Sequence, residues 1–244
     1  MKRLVTVLLL MVSLQTNAAL VARAGGAAYY DTVLNITWLA DANYAATEDY
    51  GLTGISPQGQ MDLATAGAWI DEMNSANYLG TSTWQLPVAN PIDGVSYDVN
   101  FSEDGSTDRA RNLSGPGSAF DGSTASQMAN LYFNTLGNTS TVDVNGDPTA
   151  CFGGDCLSNT GPFSNLTNVN YWSGSASPTS GENFVFSFNG IQHDRLTTDT
   201  YLVWAISDGD VLVPIPPALL LFPSALAALG WFRKRKLVRT SYNS

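Results

Sequence analysis

Residues 28–39 read AYYDTVLNITWL, and this stretch decides the fold class. Two short runs of aromatic, aliphatic and β-branched residues, 28–31 and 36–39, flank Leu34 and Asn35, which lie at or near a turn. Runs of this composition, separated by a few turn-forming residues, are typical of a β-hairpin. The stretch therefore predicts two antiparallel strands near the start of the domain.

Two amphipathic helices are predicted further along the chain. The first covers 62–74, where Asp62 is a suitable N-cap and apolar residues recur at helical spacing. The second covers about 125–136, where Thr124 and Gln127 form a capping-box pattern ahead of an apolar face. We expect each helix to pack one face on a sheet.

Further strands are predicted at four aromatic or β-branched runs. These runs are 83–86, 171–173, 184–188 and 201–206. With the hairpin and the two helices they indicate an α+β domain of short antiparallel strands. Two long segments rich in Asp, Asn, Ser, Gly and Thr, 91–122 and 137–161, are expected to be surface loops, where binding residues are often found.

Five tryptophans fall on or next to these predicted helices and strands, so packing in the core accounts for most of them, and the sequence does not tell which rings are exposed. An aromatic ring exposed outside the core would instead be suited to stack on the face of a sugar. The five are Trp38, Trp69, Trp84, Trp172 and Trp204.

Charge is segregated along the chain. Segment 25–212 holds all 21 acidic residues, three arginines and no lysine, which gives it a net charge of −18. Binding of nucleic acid or of anionic lipid requires clustered Lys and Arg, so this segment is expected to bind neither. Its surface favours cations, divalent ones in particular.

The N-terminus has the pattern of a Sec-type signal peptide. Two cations precede an apolar run, 4–14, that is too short to span a bilayer. Small residues suitable for cleavage follow at 16–18 and at 22–24. We expect cleavage after Ala18, which makes 1–18 the signal peptide and implies the Sec translocon and signal peptidase as partners.

The C-terminal segment has three parts in a fixed order. A Val-Pro-Ile-Pro motif opens an uncharged run, 215–232, and four consecutive cations follow that run. The run is just long enough for a transmembrane helix, and the positive-inside rule predicts that the cations and the tail 237–244 stay in the cytoplasm. A buried core helix is the alternative, although such a helix would not normally end in four cations. The motif and the cations are Val213, Pro214, Ile215, Pro216, Arg233, Lys234, Arg235 and Lys236.

This tail, 213–236, resembles a PEP-CTERM sorting signal, the type of tail that exosortase enzymes read in Gram-negative bacteria. The resemblance implies an exosortase as partner. It also implies a protein held in the inner membrane by its C-terminal helix before processing, and placed at the cell surface or outside the cell afterwards.

Cysteine usage agrees with export. Cys151 and Cys156 are the only two cysteines of the chain. In an oxidising compartment such a pair is expected to close a small loop as a disulfide. Two cysteines are too few for a structural zinc site, and their spacing differs from that of a redox CxxC motif.

Seven phrases of the middle segment point together to one exported bacterial family. They are YYD at 29–31, ITWLADAN at 36–43, WQLP at 84–87, GSTDR at 105–109, NTGPFSNL at 159–166, YWSG at 171–174 and VWAISDGDV at 203–211. Through them, segment 25–212 resembles the domain related to the C-terminal domain of the Legionella collagen-like protein. The resemblance implies a C-type-lectin-like fold, with two helices and looped antiparallel sheets, and a role in adhesion.

Acidic and amide side chains cluster in two of the loops, and two interpretations fit them. Calcium takes about six to eight oxygen ligands, and an Asp-x-Asn-x-Asp loop can wrap around it. Turns in which Asp and Asn bond their own backbone are the other interpretation, which we favour because the second loop lacks the bidentate Glu of an EF-hand. The residues are Asp98, Asn100, Glu103, Asp104 and Asp108 in the first loop, and Asp143, Asn145 and Asp147 in the second.

Groups suited to catalysis are few. His193, the only histidine, is expected in a surface turn after the strand at 184–188, and no common Ser or Cys nucleophile motif accompanies it. We therefore expect a non-catalytic binding or adhesion protein, with extracellular polysaccharide as its candidate ligand. A hydrolase centred on His193 and a purely structural coat component are the alternatives.

Overall fold

A computed structural model describes residues 20–211 of the chain. These residues form an α+β domain with two helices and two mostly antiparallel five-stranded sheets. The predicted signal peptide, sorting motif, membrane helix and C-terminal tail lie outside the described residues. Within 20–211, no helix has the length and apolar character needed to cross a membrane.

The first sheet joins the two ends of the described domain. Its strand order is β1-β2-β3-β10-β4, and every neighbouring pair is antiparallel. The last strand therefore lies between an early hairpin strand and β4. The strands are β1 (Leu20–Arg23), β2 (Ala28–Asp31), β3 (Ile36–Leu39), β4 (Trp84–Gln85) and β10 (Ile206–Asp208).

The second sheet lies between β4 and β10 in the chain and has the order β5-β6-β9-β8-β7. Its pairs are antiparallel except β5 with β6. The long polar loops leave from this sheet. Its strands are β5 (Phe101–Ser102), β6 (Arg109–Arg111), β7 (Asn170–Ala176), β8 (Glu182–Ser187) and β9 (Ile191–Leu196).

The hairpin predicted at 28–39 is confirmed, because β2 and β3 pair antiparallel over these residues. The buried carboxylate of Asp31 builds the turn: its Oδ1 accepts hydrogen bonds from the backbone N–H of Val33 at 2.9 Å and of Leu34 at 3.1 Å. Asn35 follows with a φ of 52°, a left-handed conformation that asparagine tolerates. The turn chemistry is local, and for that reason the sequence predicts it.

The first predicted helix is confirmed as α1, Leu63–Ser75. Its N-cap is Asp62, whose Oδ1 accepts a hydrogen bond from the backbone N–H of Thr65 at 2.8 Å. This bond satisfies one of the amide groups that a helix leaves unpaired in its first turn. The buried face of α1 packs in the core.

The second helix, α2, covers Gln127–Asn130 and continues as a π-helical turn over 131–135. The predicted cap at Thr124 is wrong, since the N-cap is Ser126, whose Oγ accepts from the backbone N–H of Ala129 at 3.4 Å. The side chain of Gln127 is not free to complete a capping box. Its Oε1 accepts instead from the backbone N–H of Val88 at 2.7 Å.

The other strand predictions are confirmed in part. The runs at 83–86, 171–173 and 184–188 contain residues of β4, β7 and β8, whereas only Ile206 of the run 201–206 enters β10. Four strands were not predicted: β1, β5, β6 and β9. The first of these lies ahead of residue 25, where the sequence predicts the domain to begin.

One hydrophobic core takes residues from both sheets and both helices. The sequence predicts core packing for most of the five tryptophans on these elements, and in the structure all five are buried. Trp204 lies among the rings of Trp38, Phe163, Tyr171 and Phe188, with ring centroids 4.6 to 6.1 Å apart. Side chains from the two sheets therefore meet at Trp204.

Candidate functional site

The loop that follows α2 carries the most exposed aromatic ring of the described chain. The predicted disulfide between Cys151 and Cys156 is present and closes a small loop. Phe152 lies inside this loop with 61% of its surface exposed, while Cys156 is buried. The loop thus exposes an apolar ring to solvent, while Cys156 at one end of the loop is fixed in the protein interior.

A buried tyrosine anchors this loop to the core. The hydroxyl of Tyr132 lies 2.8 Å from the carbonyl oxygen of Thr139 and 2.9 Å from that of Cys156, so it can donate to either. Tyr132 is fully buried, and this burial raises the pKa of its hydroxyl. The hydroxyl therefore stays protonated, and by donating to one or the other carbonyl oxygen it ties the 139–156 segment to the helix below.

The loop at 143–147 folds by bonding its own backbone. Oδ1 of Asp143 accepts from the backbone N–H of Asn145 at 2.8 Å and of Asp147 at 3.0 Å. These bonds stabilise the carboxylate and lower the pKa of Asp143, so it is anionic at neutral pH. A β-bridge between Val142 and Pro148 closes the base of the loop.

The first acidic loop contains turns of the same kind. Oδ1 of Asp98 accepts from the backbone N–H of Asn100 at 2.9 Å. Oδ1 of Asp104 accepts from the backbone N–H of Ser106 at 3.1 Å, and hydrogen bonding from the side chain and then the backbone of Ser106 lowers the pKa of Asp104. Both observations agree with the interpretation that these side chains shape their own turns.

Asp108 and Glu103 have other structural partners. The buried carboxylate of Asp108 accepts from the backbone N–H of Ile92 at 2.7 Å and of Asp98 at 2.8 Å, and burial raises its pKa. Glu103 forms an ion pair with Arg111 at 2.9 Å. Asp108 thus holds the 92–108 loop against the sheet. The charge of Glu103 is balanced by the guanidinium of Arg111 at the surface of the protein.

The two acidic loops are neighbours, although their carboxylates do not converge. The side-chain N–H groups of Asn112 donate to the carbonyl oxygen of Glu103 at 2.8 Å and to that of Val142 at 3.0 Å, which joins the loops. Among residues 20–211, no group of three or more His, Cys, Asp or Glu side chains is placed to hold a metal ion. The carboxylates serve mainly to order the loop backbone.

Two clefts share Thr139, and the second of them is lined by the disulfide loop. The first has a volume of about 270 Å³ and is lined by Asn112, Asn138, Ser140, Asp143 and Phe133, among others. The second has a volume of about 380 Å³, and its lining includes Phe152, Asp155, Ser158 and the disulfide. We call the two clefts together the Phe152 surface. Its polar groups are hydroxyls, amides and carboxylates.

A glycine next to the second sheet positions one residue of the first cleft. Gly190, in the turn between β8 and β9, has a φ of 90°, and a Cβ at this position would lie 2.8 Å from Cα of Ser140. The hydroxyl of Ser140 donates to the carbonyl oxygen of Gly190 at 3.3 Å. Close approach of the two backbones at this point requires glycine. The contact positions Ser140, which lines the cleft.

His193 lies in a strand, so its predicted placement in a surface turn is wrong. It belongs to β9, is 7% exposed, and its Nε2 lies 3.2 Å from the side-chain oxygen of Asn170. Burial, followed by the positive charges of Arg195 and Arg109, lowers the pKa of His193 to about 4. The imidazole is therefore neutral at pH 7 and bonded to an amide, and it lines neither cleft of the Phe152 surface.

Phe152 and Thr139 are site residues that the sequence analysis did not single out. A signal for Phe152 is present in the sequence, because it is an aromatic residue between two cysteines in a polar loop. Thr139 has no comparable signal. Its carbonyl oxygen is an acceptor for the buried hydroxyl of Tyr132, a contact that only the folded structure shows.

The fold and the candidate site together define an α+β domain with an ordered, disulfide-closed loop. Comparisons with models of protein families, with curated proteins and with solved structures found no match to this chain. The family resemblance and the lectin-like fold stay predictions.

Proposed function

We propose that this chain is an exported, exosortase-sorted protein of the cell surface or extracellular matrix that binds polysaccharide without catalysing a reaction. In this proposal the Sec translocon and signal peptidase act on its N-terminus. Exosortase acts on the tail that begins at Val213, and the C-terminal helix holds the protein in the inner membrane until then. The Phe152 surface is the binding site.

The observation that carries the proposal is the exposed ring of Phe152 on a loop closed by a disulfide. A flat ring can stack on the apolar face of a sugar, and burial of that ring on binding is favourable. The neighbouring clefts supply hydroxyl, amide and carboxylate groups, which donate to or accept from sugar hydroxyls. Because the disulfide restricts the loop before binding, less conformational entropy is lost in the complex.

The fold adds support for a lectin-like adhesion domain. Two helices and two mostly antiparallel sheets with long loops agree with what the resemblance to the Legionella collagen-like protein domain implies. The sulfated glycans associated with that family are a poor match to this chain, because residues 20–211 hold 21 acids and only four cations. A ligand without sulfate fits the charge of the domain better.

The polysaccharide site is tested by replacing Phe152 with alanine. Loss of the stacking ring is expected to weaken binding about 30-fold, since a central aromatic anchor contributes about 2 kcal/mol. The measurement is a glycan-array screen and a polysaccharide pull-down, with and without calcium, followed by calorimetry on the best ligand. Phe101→Ala is the matched control, because Phe101 is also exposed, at 47%, but belongs to β5 and not to the Phe152 surface.

Three outcomes separate the parts of this proposal. Weakened binding by Phe152→Ala and unchanged binding by Phe101→Ala supports the site. Equal binding by wild type and Phe152→Ala would show that the binding site lies elsewhere on the protein. Binding to no polysaccharide would show that the protein is not a glycan-binding protein.

Export makes a separate prediction about the N-terminus. Strand β1 pairs with β2 over all four of its residues, and the guanidinium of Arg23 forms two hydrogen bonds of 2.6 Å with the carboxylate of Asp210. Cleavage after Ala18 keeps this strand, whereas cleavage after residue 24 removes it. We therefore expect intact-mass measurement of the exported protein to place its N-terminus at Ala19. A mature chain beginning at Gly25 would contradict this expectation.

A further inference from the structure

We propose that the polysaccharide bound at the Phe152 surface carries free amino groups, as in a polymer of partly or fully deacetylated amino sugars. The inference rests on the proposed function and adds the chemical class of the ligand. It depends on where the charges of the described chain lie and on which of them are already paired.

The cations of residues 20–211 are engaged with acidic residues of the same chain. There are four, all arginine, against 21 acids. Three form ion pairs with carboxylates, and the fourth donates from its guanidinium to a backbone carbonyl oxygen at 3.0 Å. The pairs are Arg23 with Asp210, Arg109 with Asp194 and Arg111 with Glu103, and Arg195 donates to the carbonyl of Asp194.

A sulfated or uronic-acid polymer would therefore find no unengaged cation in the described chain to pair with. Its negative charges would also face a net charge of −17 over residues 20–211. Like charges brought together in this way disfavour binding and slow encounter. An anionic ligand is the class that this surface selects against.

The Phe152 surface offers what an ammonium group requires. Asp155 lines the second cleft together with Phe152, and the N–H of Leu157 donates to its Oδ1 at 2.9 Å, which orients the carboxylate. Asp143 lines the first cleft as an anion ordered by backbone N–H groups. A carboxylate accepts strong hydrogen bonds from an ammonium group, and the face of an aromatic ring attracts a cation.

One sugar unit can use these groups together. The C–H face of the pyranose ring stacks on Phe152, and the ammonium group on the same unit donates to Asp155. A neighbouring unit reaches past Thr139 toward Asp143 in the first cleft. Acetylation of the amine removes both its charge and two of its donors, so N-acetylated units lose the interactions with the carboxylates while they keep the stacking contact.

The experiment compares three oligosaccharides of equal length: glucosamine, N-acetylglucosamine and glucose oligomers with the same linkage. Binding to the exported protein is measured by calorimetry at a pH where the amines are protonated, at low and at high salt. We expect the glucosamine oligomer to bind about tenfold more tightly than the other two, with an advantage that shrinks as salt screens the charges. Asp155→Asn should weaken binding of the glucosamine oligomer about twofold to fivefold and leave the others unchanged.

A matched control separates a site from general attraction to an acidic protein. Asp71→Asn removes one charge from the exposed face of α1 and touches neither cleft. If Asp71→Asn weakens binding as much as Asp155→Asn, or if the N-acetylated oligomer binds as tightly as glucosamine, the amino-group inference is wrong.

In either case loss of binding on Phe152→Ala still supports the proposed function. If other polysaccharides on the array bind and the glucosamine oligomer does not, only the ligand class is wrong, and if none binds, the proposed function fails as well.

Discussion

Replacement of Trp204 by alanine is expected to lower the free energy of unfolding by about 4 kcal/mol. The side chain is fully buried among the rings of Trp38, Phe163 and Phe188, which come from the first sheet, from a loop and from the end of β8. Its Nε1–H donates to the carbonyl oxygen of Leu39 at 2.8 Å. Alanine would leave a cavity where the two sheets meet and a buried carbonyl without its donor.

The measurement is unfolding in urea followed by far-ultraviolet circular dichroism, with the disulfide intact. Trp204→Phe keeps an aromatic ring and loses the hydrogen bond, so we expect it to fall between wild type and alanine. Phe152→Ala is the control for removal of an exposed ring, and its expected change is within about 0.5 kcal/mol. This control also shows that the binding variant is folded. A change below about 1 kcal/mol for Trp204→Ala would contradict the central place given to this residue.

The second large effect concerns pH. In the unfolded chain a histidine has a pKa of about 6.5, whereas burial lowers the pKa of His193 to about 4 in the folded protein. As pH falls below about 6.5 the unfolded state binds a proton that the folded state does not bind until about pH 4. The stability contributed by neutral His193 is therefore fully present above about pH 6.5 and is lost between these two values, by about 3 kcal/mol in total.

His193→Gln isolates this effect. Glutamine is uncharged at every pH and can still reach the amide of Asn170, so the variant should lack this part of the acid destabilisation. The carboxylates titrate in both proteins, and the difference between the two stability curves from pH 7 to pH 4 therefore reports on His193. Since the chain has a single histidine, proton NMR of the exported protein gives its pKa directly. Parallel stability curves, or an NMR pKa near 6.5, would falsify the assignment of His193 as a buried neutral side chain.

Part of the candidate site could be predicted from the sequence. The disulfide between Cys151 and Cys156 follows from two nearby cysteines in a chain predicted to be exported, and the backbone-bonded loop at Asp143 follows from its Asp, Asn and Gly residues. These features depend on residues a few positions apart. The exposure of Phe152 and the clefts on either side depend on Tyr132 and on the contact of Gly190 with Ser140, which join distant parts of the chain.

The same division applies to the fold. By itself the sequence determined the hairpin at 28–39 and helix α1 with its cap at Asp62, because short-range hydrogen bonds and apolar periodicity encode them. It also predicted core packing for most of the tryptophans, but not which of them are buried. Tertiary structure alone decided that the polar run of β9 is a central strand, that Ser126 caps α2, and that β1 completes the first sheet. In each of these cases at least one deciding contact is made far away in the chain: β9 pairs with β6, the side chain of Gln127 bonds Val88, and Arg23 of β1 pairs with Asp210. No local pattern of residues could specify these contacts.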